Sequence, residues 1–200
     1  MERKYGRRCR MLVGILIFLA LAGGAFVFLR FRNGVRIEAR QEIMMAADII
    51  CYRQDAVRWG DEKLGESRFT LRSSGCLVSC IASALSMGRG IEETPQTLNE
   101  KFSSGKVYDA EGNIQWGRLG EVEDYQVEVY QEVSADIVDT CLLEGRYPIV
   151  RVRVKGIGNF HFVLVVGAEN GEYLCMDPLQ DGITSLRDYG NRIYGIRCVY

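Results

Sequence analysis

Nineteen consecutive uncharged residues, Met11 to Leu29 (MLVGILIFLALAGGAFVFL), constrain this chain before anything else does. At about 1.5 Å per helical residue the run nearly matches a hydrocarbon core about 30 Å thick. Inside a bilayer the backbone must satisfy its own polar groups, so the run predicts one membrane-spanning helix. Arg3, Lys4, Arg7, Arg8 and Arg10 precede it, and only Arg30, Arg32 and Arg36 follow closely. The positive excess on the N-terminal side predicts a cytoplasmic N-terminus and an extracytoplasmic body. A cleaved signal peptide is the competing reading, with Ala20-Leu21-Ala22 as the cleavage site and a secreted body as the product. The apolar run continues through Phe26 to Leu29, past the usual end of a signal peptide's apolar core, and favours a retained anchor.

The expected organisation is therefore a basic cytoplasmic tail over 1–10, the anchor over 11–29, a juxtamembrane helix or linker over 30–50, and one soluble domain over 51–200. Residues 35–50 mix good helix formers with apolar positions three and four apart, which predicts a helix leaving the membrane. Setting aside the eight Lys and Arg and the single acid of residues 1–36 leaves seventeen basic and twenty-five acidic residues, a net of about minus eight. A body this acidic has no general attraction to phosphate backbones and lacks the aromatic-plus-basic pattern of a single-strand binder, which argues against nucleic acid as a partner.

Within the body, helix signals come first. SSGCLVSCIASALSMGRG repeats apolar residues at helical spacing, opens after serines and closes on Gly88 and Gly90. Thr94-Pro95 caps a second helix, Ser134 to Leu143 forms another ended by Gly145, and Ile114 to Tyr125 is a weaker helical stretch. Strand signals dominate the rest: Gln126–Tyr130, Pro148–Val154, Phe160–Ala168, Tyr173–Met176 and Arg192–Val199. Helices followed by strands joined through short turns predict an α+β domain with a mainly antiparallel sheet.

Chemistry enters at Cys76, which falls on the first turn of its helix. Unpaired N–H groups and the positive end of the helix dipole favour a thiolate there, and Gly75 leaves room for a close approach. His161 is the only histidine in the chain, so any thiol–imidazole chemistry must use it. It opens the most strand-like segment, HFVLVVG. Asp177, at the end of the following strand, is the natural group to hold the imidazole in its working tautomer. Parity supplies a condition. If Asn170-Gly171 is a simple two-residue hairpin turn, residues 168 and 173 pair and His161 and Asp177 face opposite ways. An odd loop or a bulge is needed to bring them to one face.

Cys80, one turn beyond Cys76, is a rival nucleophile, though the first turn stabilises a thiolate best. Cys51, Cys141, Cys175 and Cys198, together with Cys80, sit mostly among apolar neighbours with neither disulfide-framework nor zinc spacing, and read as small hydrophobes. Neither a metal nor an organic cofactor is expected. Trp59, Trp116 and Tyr108 have the character of peptide-cleft residues, but core or scattered surface is the simpler reading for large aromatics.

Taken in order, YRQDAVRW with Gln54, SGCLVSCIASAL with Cys76, NFHFVLVVG with His161 and MDP with Asp177 resemble the papain-like cysteine peptidases. Within these the chain is most similar to the bacteriocin-leader, or double-glycine, peptidase branch, over roughly Tyr52 to Val199. The resemblance implies a papain-like fold, with Cys76 as nucleophile, His161 as base, Asp177 as its orienting partner and Gln54 as a side-chain oxyanion donor. It implies a peptide or protein substrate and hydrolysis of peptide or isopeptide bonds without cofactor. Leu77-Val78 stands where that family usually has Gly-Pro after the cysteine, and no nucleotide-binding loop accompanies the domain. Two alternatives share the scaffold: a catalytically silent peptide-binding module, and a wall-peptide amidase or acyltransferase.

Overall fold

The computed structural model describes residues 2–90, 92–122 and 125–200 and divides into two units, Met1–Gly34 and Val35–Tyr200. The first unit is helix α1, Glu2–Phe31. Its stretch Met11–Phe31, 21 residues, is long and apolar enough to cross a membrane, and its large apolar side chains from Met11 to Leu29 are exposed.

The second unit opens on a two-residue strand, β1 (Val35–Arg36), and continues as an extended strap, not the helix expected over 35–50. The reason lies in the sheet beside it. Ile37 N–H donates to Asn191 O at 2.8 Å, Ala39 N–H to Gly171 O at 3.1 Å, and Ile43 exchanges both backbone bonds with Ala168 at 2.9 Å. Ile37 and Ile43 are buried while Met44 is almost wholly exposed, a pattern an extended chain produces as readily as a helix. The strap thus finds tertiary partners for groups that a helix would have paired locally. Gly167 permits this contact, since a Cβ there would meet Met45 Cγ at 2.6 Å and Ile43 O at 3.0 Å.

The helices follow: α2 (Leu71–Ser74), α3 (Cys76–Arg89), α4 (Pro95–Ser104) and α5 (Trp116–Leu119). Thr94 caps α4 by accepting from Thr97 N–H, with Pro95 at the first helical position. Gly90 ends α3 in the left-handed conformation at φ 65°. The stretch expected to be helical from Ile114 to Tyr125 yields only the single turn of α5, which has no side-chain cap at Gln115 and contains Gly117. Residues 123 and 124 of that stretch lie outside the described residues.

Then come β2 (Val127–Tyr130), α6 (Ala135–Leu143), β3 (Ile149–Arg153), β4 (Phe160–Glu169), β5 (Glu172–Met176), β6 (Ile183–Ser185), β7 (Arg192–Ile193) and β8 (Ile196–Val199). β6 was not expected from the sequence, and the single last strand divides into β7 and β8. β1 and β7 form a small ribbon; the others form one six-stranded sheet in the order β2-β8-β3-β4-β5-β6, with every pair antiparallel. The unit is α+β with an antiparallel sheet.

Alternation along the central strands sorts the core into two layers. Ile149, Leu164, Val166 and Met176 pack with Leu71, Ile81, Leu85, Leu98 and Phe102 from the α2–α4 side. Val150, Val152, Val163, Val165 and Cys175 pack against Val138 of α6, Ile37 and Ile43 of the strap, and Leu186 and Tyr189. A sheet covered on both faces holds its side chains in fixed directions, which matters for the residues at its ends.

Candidate active site

Two helices meet at Gly75. It closes α2, its N–H bonded to Leu71 O at 2.7 Å, and stands before the first residue of α3. A Cβ at this position would lie 2.7 Å from Leu71 Cα and nearer still to the Leu71 carbonyl oxygen, so only glycine fits the junction. Cys76 follows as the first residue of α3, half-buried, and no side chain caps the N–H groups of that turn.

His161 and Asp177 reach one face through an irregularity in the hairpin. Asn170 and Gly171 do make a two-residue turn, with φ of 53° and 77°, so Ala168 pairs with Tyr173 as in the simple case. Between Val165 and Gly167 the register then shifts, and Val165 pairs with Cys175. The extra residue, Val166, is a β-bulge, and it puts His161, Val163, Val165, Cys175 and Asp177 on one side of the sheet. The condition set by parity is met.

His161 Nε2 and Asp177 Oδ1 stand 2.6 Å apart, both residues buried. With Nε2 engaged, Nδ1 is the ring nitrogen left to face the Cys76 side chain, which acts on the imidazole. Burial alone would lower the His161 pKa, but the hydrogen bond to Asp177, then the nearby Cys76 side chain, raise it to about 9. For Asp177 burial works toward a higher value, yet the His161 hydrogen bond and charge outweigh it and hold the carboxyl at about 2. The pair is therefore an imidazolium and a carboxylate at neutral pH.

Asp177 has more support than the sequence suggested. Oδ1 also accepts from Leu179 N–H at 2.8 Å, the turn its Pro178 neighbour allows. Oδ2 accepts from Gln180 Nε2 at 2.9 Å and from the Tyr189 hydroxyl. All four bonds together fix the carboxylate plane. Gln180 and Tyr189 were not singled out in the sequence. Tyr189 lies in a polar stretch near the C-terminus, with no motif to tie it to position 177.

Gln54 is buried and bound at both ends: its N–H donates to Pro178 O at 3.0 Å and its Nε2 to Arg72 O at 2.7 Å. It thereby links the residue after Asp177 to the segment four residues before Cys76. Its Oε1 is buried without a hydrogen-bond partner among the described residues. Cys80, the rival nucleophile, is wholly buried; its thiol faces Phe162 O at 3.5 Å, and burial pushes its pKa well above the ordinary thiol value. That environment disfavours a thiolate at Cys80.

Cys76 borders a cleft of about 360 Å³ whose walls include Tyr108, Trp116, Arg151, Phe160 and Phe162. His161, Asp177 and Tyr189 border a second concavity of about 390 Å³. Of the three aromatics weighed in the sequence, Tyr108 and Trp116 line the Cys76 cleft, whereas Trp59 is buried, its indole N–H donating to Arg53 O at 2.8 Å. Among the described residues no cluster of His, Cys, Asp and Glu is arranged to hold a metal ion. Comparison with known proteins finds no matching family model and no significant match among curated sequences.

Proposed function

We propose that this chain is a membrane-anchored cysteine peptidase on a papain-like scaffold, hydrolysing peptide or isopeptide bonds outside the cytoplasm. The observation that carries the reading is the buried His161–Asp177 hydrogen bond, with the Cys76 side chain acting on the same ring and itself bordering an open cleft. The sulfur, as thiolate beside the imidazolium, attacks the scissile carbonyl carbon and pushes its electron pair onto oxygen. The Cys76 N–H, uncapped at the start of α3, and the second Nε2 proton of Gln54 are the donors for that oxyanion. As the tetrahedral species collapses, His161 gives its proton to the leaving amine. It then takes one from the water that hydrolyses the thioester, returning the thiolate–imidazolium pair. Asp177 stays ionised and keeps Nδ1 aimed at sulfur.

The anchor supports an extracytoplasmic site, because the positive residues ahead of Met11 outnumber those directly after Leu29. The test is labelling of the full chain by a neutral, thiol-directed activity probe. Cys76→Ala should leave the fold intact and abolish labelling, while Cys80→Ala should retain it. Unchanged labelling of the Cys76→Ala chain refutes the assignment.

A further inference from the structure

The α3-facing side of the sheet carries two guanidinium groups that no acid among the described residues answers. Arg197 on β8 pairs with Ile149 of β3, and Arg151 lies two residues along β3, so both share one face. The Arg197 guanidinium carbon stands 5.3 Å from the centre of the Trp116 ring and 5.5 Å from that of Phe162; that of Arg151 is 3.5 Å from the centre of Phe160. Arg197 Nε and Nη1 are buried and have no hydrogen-bond partner among the described residues.

Burial, then the neighbouring charge of Arg153, lowers the Arg151 pKa; burial, then Arg151, lowers that of Arg197. No carboxylate among the described residues acts on either. Stacking on aromatic rings offsets only part of what burying a charge without a partner costs. Trp116, Phe160, Phe162 and Arg151 line the same cleft that Cys76 borders. In a body with a net charge of about minus eight, this is a local positive site beside the reactive sulfur.

We propose that the cleft receives a carboxylate-bearing segment of the substrate, its negative charge taken by Arg151 and Arg197 and its chain laid against Trp116 and Phe162. The word substrate rests on the peptidase reading; the anion site rests on the two arginines. An Asp or Glu side chain and a terminal α-carboxylate offer a guanidinium the same two oxygens, and its planar fork suits either.

The full chain carrying Cys76→Ala binds without turnover, and the change in tryptophan emission from Trp116 at the cleft, over a constant signal from buried Trp59, reports occupancy. It is titrated with N-acetylated peptide pools holding Glu or Gln at one fixed position, each pool made with a free and with an amidated C-terminus. The expected result is that one Glu position, or the free terminus, binds about tenfold more tightly than its neutral counterpart. Arg197→Met and Arg151→Met should each remove most of that preference, and Arg197→Lys should retain part of it. Equal affinities for charged and neutral pools overturn the proposal without needing any arginine variant, as does a preference that survives both methionine variants. Probe labelling of Cys76 in the unsubstituted chain reads the peptidase proposal separately. A charged preference without labelling supports the anion site and removes hydrolysis; labelling without the preference removes the anion site alone.

Discussion

Asp177→Asn preserves the size of the group that meets His161 Nε2 and removes its charge. Burial opposes a charged imidazole, yet Asp177 first and Cys76 second carry its pKa from the ordinary 6.5 to about 9. That rise corresponds to roughly 3 kcal/mol in favour of the imidazolium, at about 1.36 kcal/mol per pH unit. With a neutral amide at 177 that contribution is lost while burial remains, and the ring should titrate well below 9. Since the chain has one histidine, NMR titration of the imidazole signal of the full chain in detergent micelles reads this without assignment. Stability should follow with a definite sign. The folded value of His161 lies above the unfolded one, so its contribution is complete below pH 6.5 and drains as pH rises through about 9. Asp177, held at about 2 against an ordinary 3.8, contributes above 3.8 and loses that contribution as pH falls through 2. These are two views of one interaction, and their energies are not added. Denaturation at about pH 6 and about pH 10 should show a loss of roughly 3 kcal/mol in the native chain and far less in Asp177→Asn. A native ring that titrates near 6.5, or a midpoint left unmoved by the substitution, refutes the reasoning.

Gly75→Ala should cost about 1–3 kcal/mol by forcing α2 away from α3, with slower probe labelling of Cys76 as the second readout; an unchanged melting temperature and rate would contradict the crowding at Leu71. Tyr189→Phe removes one of the bonds to Asp177 and should cost about 1 kcal/mol in denaturant melts while lowering the His161 midpoint less than Asp177→Asn does. Cys198 meets Cys141 with sulfurs 3.2 Å apart in the core, so excess small-molecule disulfide should convert the pair to a cystine and leave as two thiols. Peptide mapping after alkylation checks this, and two separately alkylated cysteines would count against it.

The candidate site was legible wherever a local signal coincided with a chemical need. Cys76 showed itself through serines, a glycine and helical spacing, and His161 through being alone at the head of a β-branched run. Asp177 could be named as a strand-end residue, but whether it shared a face with His161 depended on Val166, and a bulge in a valine-rich strand leaves no mark in composition. Tyr189 and Gln180 stayed hidden because their role comes only from the fold's return to position 177. Arg151 and Arg197 read as ordinary strand residues until the pairing of β8 with β3 put them on one covered face. The strap over 35–46 misled for a different reason: its helix-compatible spacing was real, but the backbone groups of Ala168, Gly171 and Asn191 offered longer-range partners that propensity does not count.

The bulge at Val166 makes the alignment of the site a matter of counting. Removing that one residue would leave every reactive side chain in the sequence and restore the simple register, turning Asp177 toward the opposite side of the sheet from His161. A chain so shortened would keep its motifs and lose the His161–Asp177 hydrogen bond, so intactness of the motifs is by itself no measure of the site here.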